Sequence, residues 1–320
     1  MPAGPETELI SELATLVTHV DDTGDPMPLR ELLAEARRRS GVRPATVLRV
    51  ECELEKWLSR DRDAALSAEV WATLARRAAE ERVAARDPAY LAIRALHAQY
   101  VRRRGRPGDA DLAVGLYERE HALRTRLFPP DDPRISTVHA NLAMAIRERG
   151  RPGDLERALE MLEREAALRT RTHGSGRPFT WIAQLVLAQT LVARAEEAAA
   201  ADDRRAFAGQ AAEHSEHVLA GRRLRFGGSH PATLRAQLVH AHALLLLERG
   251  AEAVELLRAH QRQDPAAAVS PGKSDLLLAR ALRDADPAAA LLHARRAAHR
   301  GADPRRRQEA ERLARRLSGA

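Results

Sequence analysis

Residues 104–126 read RGRPGDADLAVGLYEREHALRTR and residues 149–171 read RGRPGDLERALEMLEREAALRTR; fifteen of the twenty-three positions agree without a gap, at an offset of 45. An internal match at a fixed offset constrains the fold more than any other feature of the chain, because a repeated unit packs the same way each time it recurs. Prolines carry the period outward. Pro88, Pro133 and Pro178 stand 45 apart, Pro44 lies one residue out of step, and Pro231 follows after 53, the excess falling in the Ala- and Asp-rich stretch Glu196 to Arg205. Proline suits the first position of a helix, where its missing N–H is not needed and its φ is already helical. Each of these prolines is therefore expected to open a helix.

Two helices follow each proline. After Pro133, Val138, Leu142, Ala145 and Ile146 form an apolar stripe that ends at Gly150. Gly-Arg-Pro-Gly-Asp then makes a turn, with a C-cap glycine and a helix-starting Asp. A second stripe, Leu155, Ala158, Leu159, Leu162, Ala166 and Leu168, runs to about Thr170. A single helical hairpin cannot bury its own apolar face, whereas stacked hairpins can. Ala, Leu, Arg and Glu dominate the composition and aromatics are only 3%, which favours helix throughout. The expected fold is all-α, an α-solenoid of stacked antiparallel helical hairpins.

The pieces HPATLRAQ (His230 to Gln237), NLA (Asn141 to Ala143) and LFPPDDPRIST (Leu127 to Thr137) resemble the long tetratricopeptide (TPR) repeats of kinesin-light-chain type, which abound in actinobacterial proteins. The resemblance covers about Pro88 to Gln261 and implies a TPR-like superhelix that binds a peptide or partner protein in its concave groove. The family's small residue, ten places after the proline, falls on Ala98, Ala143, Ala188 and Ala241, with Leu54 in its place after Pro44. The large apolar residue three further on falls on Val101, Ile146, Leu191 and Leu244. Positions that the family turns into the groove fall on Glu55, Gln99, Met144, Gln189 and His242, and on Leu58, Arg102, Arg147, Val192 and Leu245. Of these, Gln99, Arg102, Met144, Arg147, Gln189 and His242 are the expected partner-binding residues: Gln and Arg can hydrogen-bond a peptide backbone or carboxylate, and Met offers adaptable apolar contact.

Toward the ends, Glu6 to Val20 with Pro28 to Ser40, and Pro44 to Arg82, read as two degenerate hairpins. Beyond Pro271, Ser274 to Arg283 and Pro287 to Arg300 read as a short last hairpin, and Arg305 to Leu317 as a polar capping helix. The expected divisions are 1–86 for the N-terminal hairpins, 87–262 for the core repeats, and 263–320 for the C-terminal hairpin and basic cap.

The chain carries a formal charge of +7, which raises nucleic acid as a partner. The surplus is local: from Ala294 to Ala320 nine Arg face Asp303, Glu309 and Glu311. The tail residues Arg305, Arg306, Arg307, Arg312, Arg315 and Arg316 fit a solvated cap better than a nucleic-acid site. Ser40 to Val50 resembles the turn and second helix of a helix-turn-helix, so the alternative reading is a transcriptional regulator with a degenerate DNA-binding segment at 29–50 and a TPR sensor region. Against it, Arg37 stands where such motifs place Ala or Gly at the helix crossing, and a buried arginine there is costly without a partner.

Cys52 is the only cysteine, so no intramolecular disulfide forms. The N-terminus lacks a basic and apolar leader and no apolar run approaches membrane-spanning length, so the expected location is the cytoplasm. Ser270-Pro-Gly-Lys-Ser274 matches only the end of a phosphate-binding loop, with Ala267 where the first glycine belongs. His214 and His217 lack a third ligand for a metal. With no catalytic motif, no enzyme activity, cofactor or metal is expected, and a protein or peptide is the expected partner.

Overall fold

The computed structural model describes residues 5–60, 62–264, 269–270, 272–301 and 304–319. Ala267, Asp303 and Pro271 lie outside the described residues, as does the side chain of Arg305. The chain divides by its contacts into two compact units, Met1–Gly150 and Arg151–Ala320. The first holds α1 (Pro5–Thr23), α2 (Met27–Arg38), α3 (Pro44–Leu58), α4 (Ala64–Glu80), α5 (Pro88–Arg104), α6 (Asp109–Leu127) and α7 (Pro133–Arg149). The second holds α8 (Asp154–His173), α9 (Pro178–Glu197), α10 (Ala201–Phe226), α11 (Pro231–Leu246), α12 (Gly250–Gln263), α13 (Lys273–Leu282), α14 (Pro287–Arg300) and α15 (Pro304–Leu317).

Every proline of the ladder opens a helix, and three of these starts are capped by the residue before: Asp87, Asp132 and His230 accept the N–H of Ala89, Arg134 and Ala232. The Gly-Arg-Pro-Gly-Asp turns work as expected. Gly105 and Gly150 take left-handed φ values of 68° and 70° at the helix ends, a region costly for any residue with a Cβ. Asp109 and Asp154 then accept the N–H of Arg106 and Arg151, which closes the turn. The extra residues before Pro231 lengthen α10 to 26 residues, against 19 in α6.

Within each unit the odd-numbered helices touch one another in succession, α1 to α3 to α5 to α7 and α9 to α11 to α13 to α15. Successive even-numbered helices do not meet among the described residues. The odd helices therefore form the tighter row. Small residues permit that approach: Ala98 and Ala143 in the first unit, Ala188 and Ala241 in the second, are fully buried. Val101, Ile146, Leu191 and Leu244 are buried beside them.

The hairpin interiors also hold charge. Arg124 on α6, Arg169 on α8 and Arg222 on α10 each stand nine residues before a ladder proline, and all three are buried. Arg124 donates to Glu120 (2.8 Å), to the Leu91 carbonyl on α5 (3.0 Å) and to the Arg134 carbonyl on α7 (2.8 Å), so one side chain ties three helices. Arg222 repeats the last of these bonds on the Ala232 carbonyl of α11, at 2.8 Å. Arg169 is 0% exposed and pairs with Glu165 at 2.6 Å. A guanidinium keeps its charge at any ordinary pH, so inside the protein it must find acceptors for its donors.

Specific packing also fixes the hairpins in both units. Trp71 on α4 donates to Ser59 Oγ (3.1 Å) and Tyr100 on α5 donates to the Ser59 carbonyl (2.8 Å), which ties both helices to the end of α3. Cys52 sits in this core, where burial pushes its thiol up to about 12. In the second unit α15 covers the last hairpin through Ala310 and Leu313 against Leu276, Ala279, Ala294 and Ala297. The Gly-Lys-Ser segment serves packing: a Cβ on Gly272 would stand 2.9 Å from the Ala297 carbonyl and 3.0 Å from Gly301.

Breaking one of the buried pairs leaves the other charge stranded, which costs about 3–5 kcal/mol. Urea unfolding of Arg169→Met is expected to show a loss of that order, and Arg169→Met with Glu165→Leu to recover most of it. An Arg169→Met loss within about 0.5 kcal/mol, the level of an ordinary surface change, would remove the pair from this structural role.

Candidate interaction surface

In each unit the expected partner-binding positions fall on its own row of touching odd helices, α5 and α7 in the first and α9 and α11 in the second. Gln99 and Gln189 are partly exposed, and their amides have no hydrogen-bond partner among the described residues. Met144 is partly exposed on α7, while Val192 on α9 is buried. Leu58 and Leu245 are partly buried in the cores around them. Glu55 pairs with Arg62 at 2.6 Å.

In the first unit the structure brings two of the expected residues onto a carboxylate that sequence reasoning missed. Arg102 on α5 donates to both oxygens of Glu148 on α7, at 2.7 and 2.6 Å, and the Arg147 guanidinium lies 3.8 Å from the same group. Burial lowers the pKa of Arg102, but the pull of Glu148 outweighs it and the net shift is upward. Burial drives Arg147 the other way; Glu148 opposes this and the charge of Arg102 adds to it. Two guanidiniums thus stand around one carboxylate, flanked by the unengaged amide of Gln99 and the thioether of Met144.

In the second unit His242 is 12% exposed and belongs to a charged chain that crosses four helices. Its Nε2 lies 3.1 Å from Glu196 on α9 and 3.0 Å from Arg280 on α13. Arg280 also pairs with Glu196 at 3.0 Å and with Glu309 on α15. A single ring nitrogen cannot both donate to Glu196 and accept from Arg280, so these contacts compete. Burial lowers the pKa of His242, and Lys273 and Arg280 add to that against the pull of Glu196. Burial raises the pKa of Glu196, but its hydrogen bond to His242 and the charges of His242 and Arg280 hold it down to about 2. Gln189 takes no part in this chain. The missed members, Glu148, Glu196, Arg280 and Glu309, each find their partner on another hairpin.

In the segment considered for DNA, the second helix, α3, offers no open face. From Ala45 to Leu58 no residue of α3 is exposed, and Leu48 and Val50 are fully buried. Arg43 and Arg49 are paired to Glu6 and Asp87. Arg37 is exposed and bonded to Glu51, while Ala36 takes the buried place beside it. In the tail, Arg307 donates to the Gly301 carbonyl, and Arg312, Arg315 and Arg316 are exposed. His217 donates its Nε2 proton to the Ser175 carbonyl at 3.1 Å.

No family model and no curated protein matches this chain. Solved structures do. BtubC (BKLC) from P. vanneervenii aligns at a TM-score of 0.51 and 17% identity, over 81% of this chain and 91% of that one. A putative kinesin light chain from Podosopora anserina with nearly identical TPR-like repeats aligns at 0.45 and 22% identity, over 69% and 93%. The alignment to BtubC, together with the helical hairpins, shows a TPR-like repeat fold. No helix among the described residues is long and apolar enough to cross a membrane.

The low pKa of Glu196 gives a pH test. A carboxylate depressed in the folded state stabilises in full above its ordinary value of 4.5, and that stability is lost as pH falls toward 2. Thermal unfolding followed across this window should fall less steeply in Glu196→Gln than in the wild type. Equal slopes would show that Glu196 is not held by its neighbours.

Proposed function

We propose that the chain is a scaffold in the cytoplasm that holds a peptide or partner protein along its odd-numbered helices, without catalysis or cofactor. The observation that carries this reading is the set of partly exposed groups on the touching row. In the first unit Gln99 presents an unengaged amide, Met144 presents an adaptable apolar surface, and Arg102 presents a charged donor held by Glu148; in the second, Gln189 presents an unengaged amide. An extended peptide needs main-chain hydrogen bonds, apolar contact and an anchor for charge. These residues supply all three on a backbone made rigid by the helices beneath.

Affinity capture from the native host, with the full chain as bait, should yield a protein that co-purifies stoichiometrically. Its affinity should then fall about tenfold or more for Gln99→Ala with Met144→Glu. Both residues lie on the surface of a helix, so circular dichroism should show folding unchanged. Binding that is indifferent to both substitutions would overturn the placement on this row.

A further inference from the structure

A second basic feature lies across α5 from Gln99. At 100° per residue, Tyr90 lies about 180° and Arg94 about 140° around that helix from Gln99. Together with the last turns of α6 they line an open cavity of about 690 Å³, whose charged walls are Arg94, Arg119 and Arg126 and whose apolar floor is Ala122 and Leu123. No carboxylate lines it. His121 completes the wall and stacks on His139, with ring centres 5.0 Å apart.

The charge here is not balanced internally. Glu120 serves two guanidiniums at once, Arg94 at 2.6 Å and Arg124 at 2.8 Å. Arg119 and Arg126 make no ion pair among the described residues, and both are exposed. His97, partly buried nearby, responds to the same field: burial lowers its pKa, and the charges of Arg104, Arg119 and Arg94 lower it further. Arg119 and Arg126 stand seven residues apart on one face of α6, about 10 Å along the axis. A single small anion fills little of such a cavity. An extended chain covers the same distance in about three residues, so two acidic side chains three apart would meet the two arginines, and the residues between them would lie over Ala122 and Leu123.

We infer that this cavity is a docking site for an extended acidic segment of a protein partner. The inference rests on the reading of the chain as a protein-binding scaffold, but it uses other residues, chiefly on α6, so each can fail alone. It adds to the touching row a contact selective for charge, steered by the field and weakened by salt.

The test is a fluorescence-anisotropy titration of the full chain with a labelled peptide of about fifteen residues repeating Glu-Pro-Ala, which holds an acid at every third position of an extended helix. A peptide repeating Lys-Pro-Ala is the control. The acidic peptide should bind and the basic one should not. Arg119→Glu with Arg126→Glu should weaken binding at least about tenfold, while Arg315→Glu with Arg316→Glu, the same charge change on α15, should leave it unchanged. Equal losses in the two double variants would reduce the effect to net charge and overturn the site. So would equal binding of both peptides, displacement by inorganic phosphate at matched charge, or displacement by duplex DNA through the same two arginines. None of these outcomes would touch the dependence of a captured partner on Gln99 and Met144.

Discussion

A guanidinium that cannot give up its charge has to be answered with acceptors wherever the chain buries it, and this protein buries one at the same point of its repeat three times. Arg124, Arg169 and Arg222 each precede a ladder proline by nine residues. In the two cases that show the contact, the side chain reaches the carbonyl just after that proline. The even helix is thereby fixed to the start of the next odd helix, independently of apolar packing. Apolar contact alone would tolerate sliding and rotation, whereas three directed bonds from one planar group do not.

What the buried arginine fixes, the odd row uses. Its helices approach closely because alanine stands at the crossing, and close approach places side chains of neighbouring repeats within ion-pair distance. Arg102 then meets Glu148, and Glu196 meets His242 and Arg280. These contacts hold the long side chains in place, so the proposed binding of a partner would cost less side-chain entropy. The same contacts set a condition on the partner: a group that seeks Arg102 has to share it with Glu148.

Much of the architecture was legible in the residues. Proline at the helix start and glycine at the helix end act through backbone geometry alone, so a ladder of Pro88, Pro133 and Pro178 could be read directly as helix starts. The alanines at the crossings followed from the same register. The buried arginines were also in plain view, since both copies of the internal match carry Glu and Arg at the same places. Their burial carries no local signal, because an i,i+4 Glu–Arg pair has identical spacing on a solvated face and in a core, and charged residues are usually outside. Glu148, Glu196 and Arg280 left no local signal, because each finds its partner on another hairpin, through the stacking itself. The basic cavity on α5 and α6 escaped for a related reason: its charge surplus comes from Glu120 being shared, a fact of three dimensions.

The central claim, that a partner lies along the odd row, is tested most directly by hydrogen–deuterium exchange on the chain with and without a co-purified partner. The account predicts slowed exchange in the peptides of α5 and α7 that contain Gln99 to Arg102 and Met144 to Arg147. Protection that leaves these two segments unchanged, whatever else it covers, would contradict it.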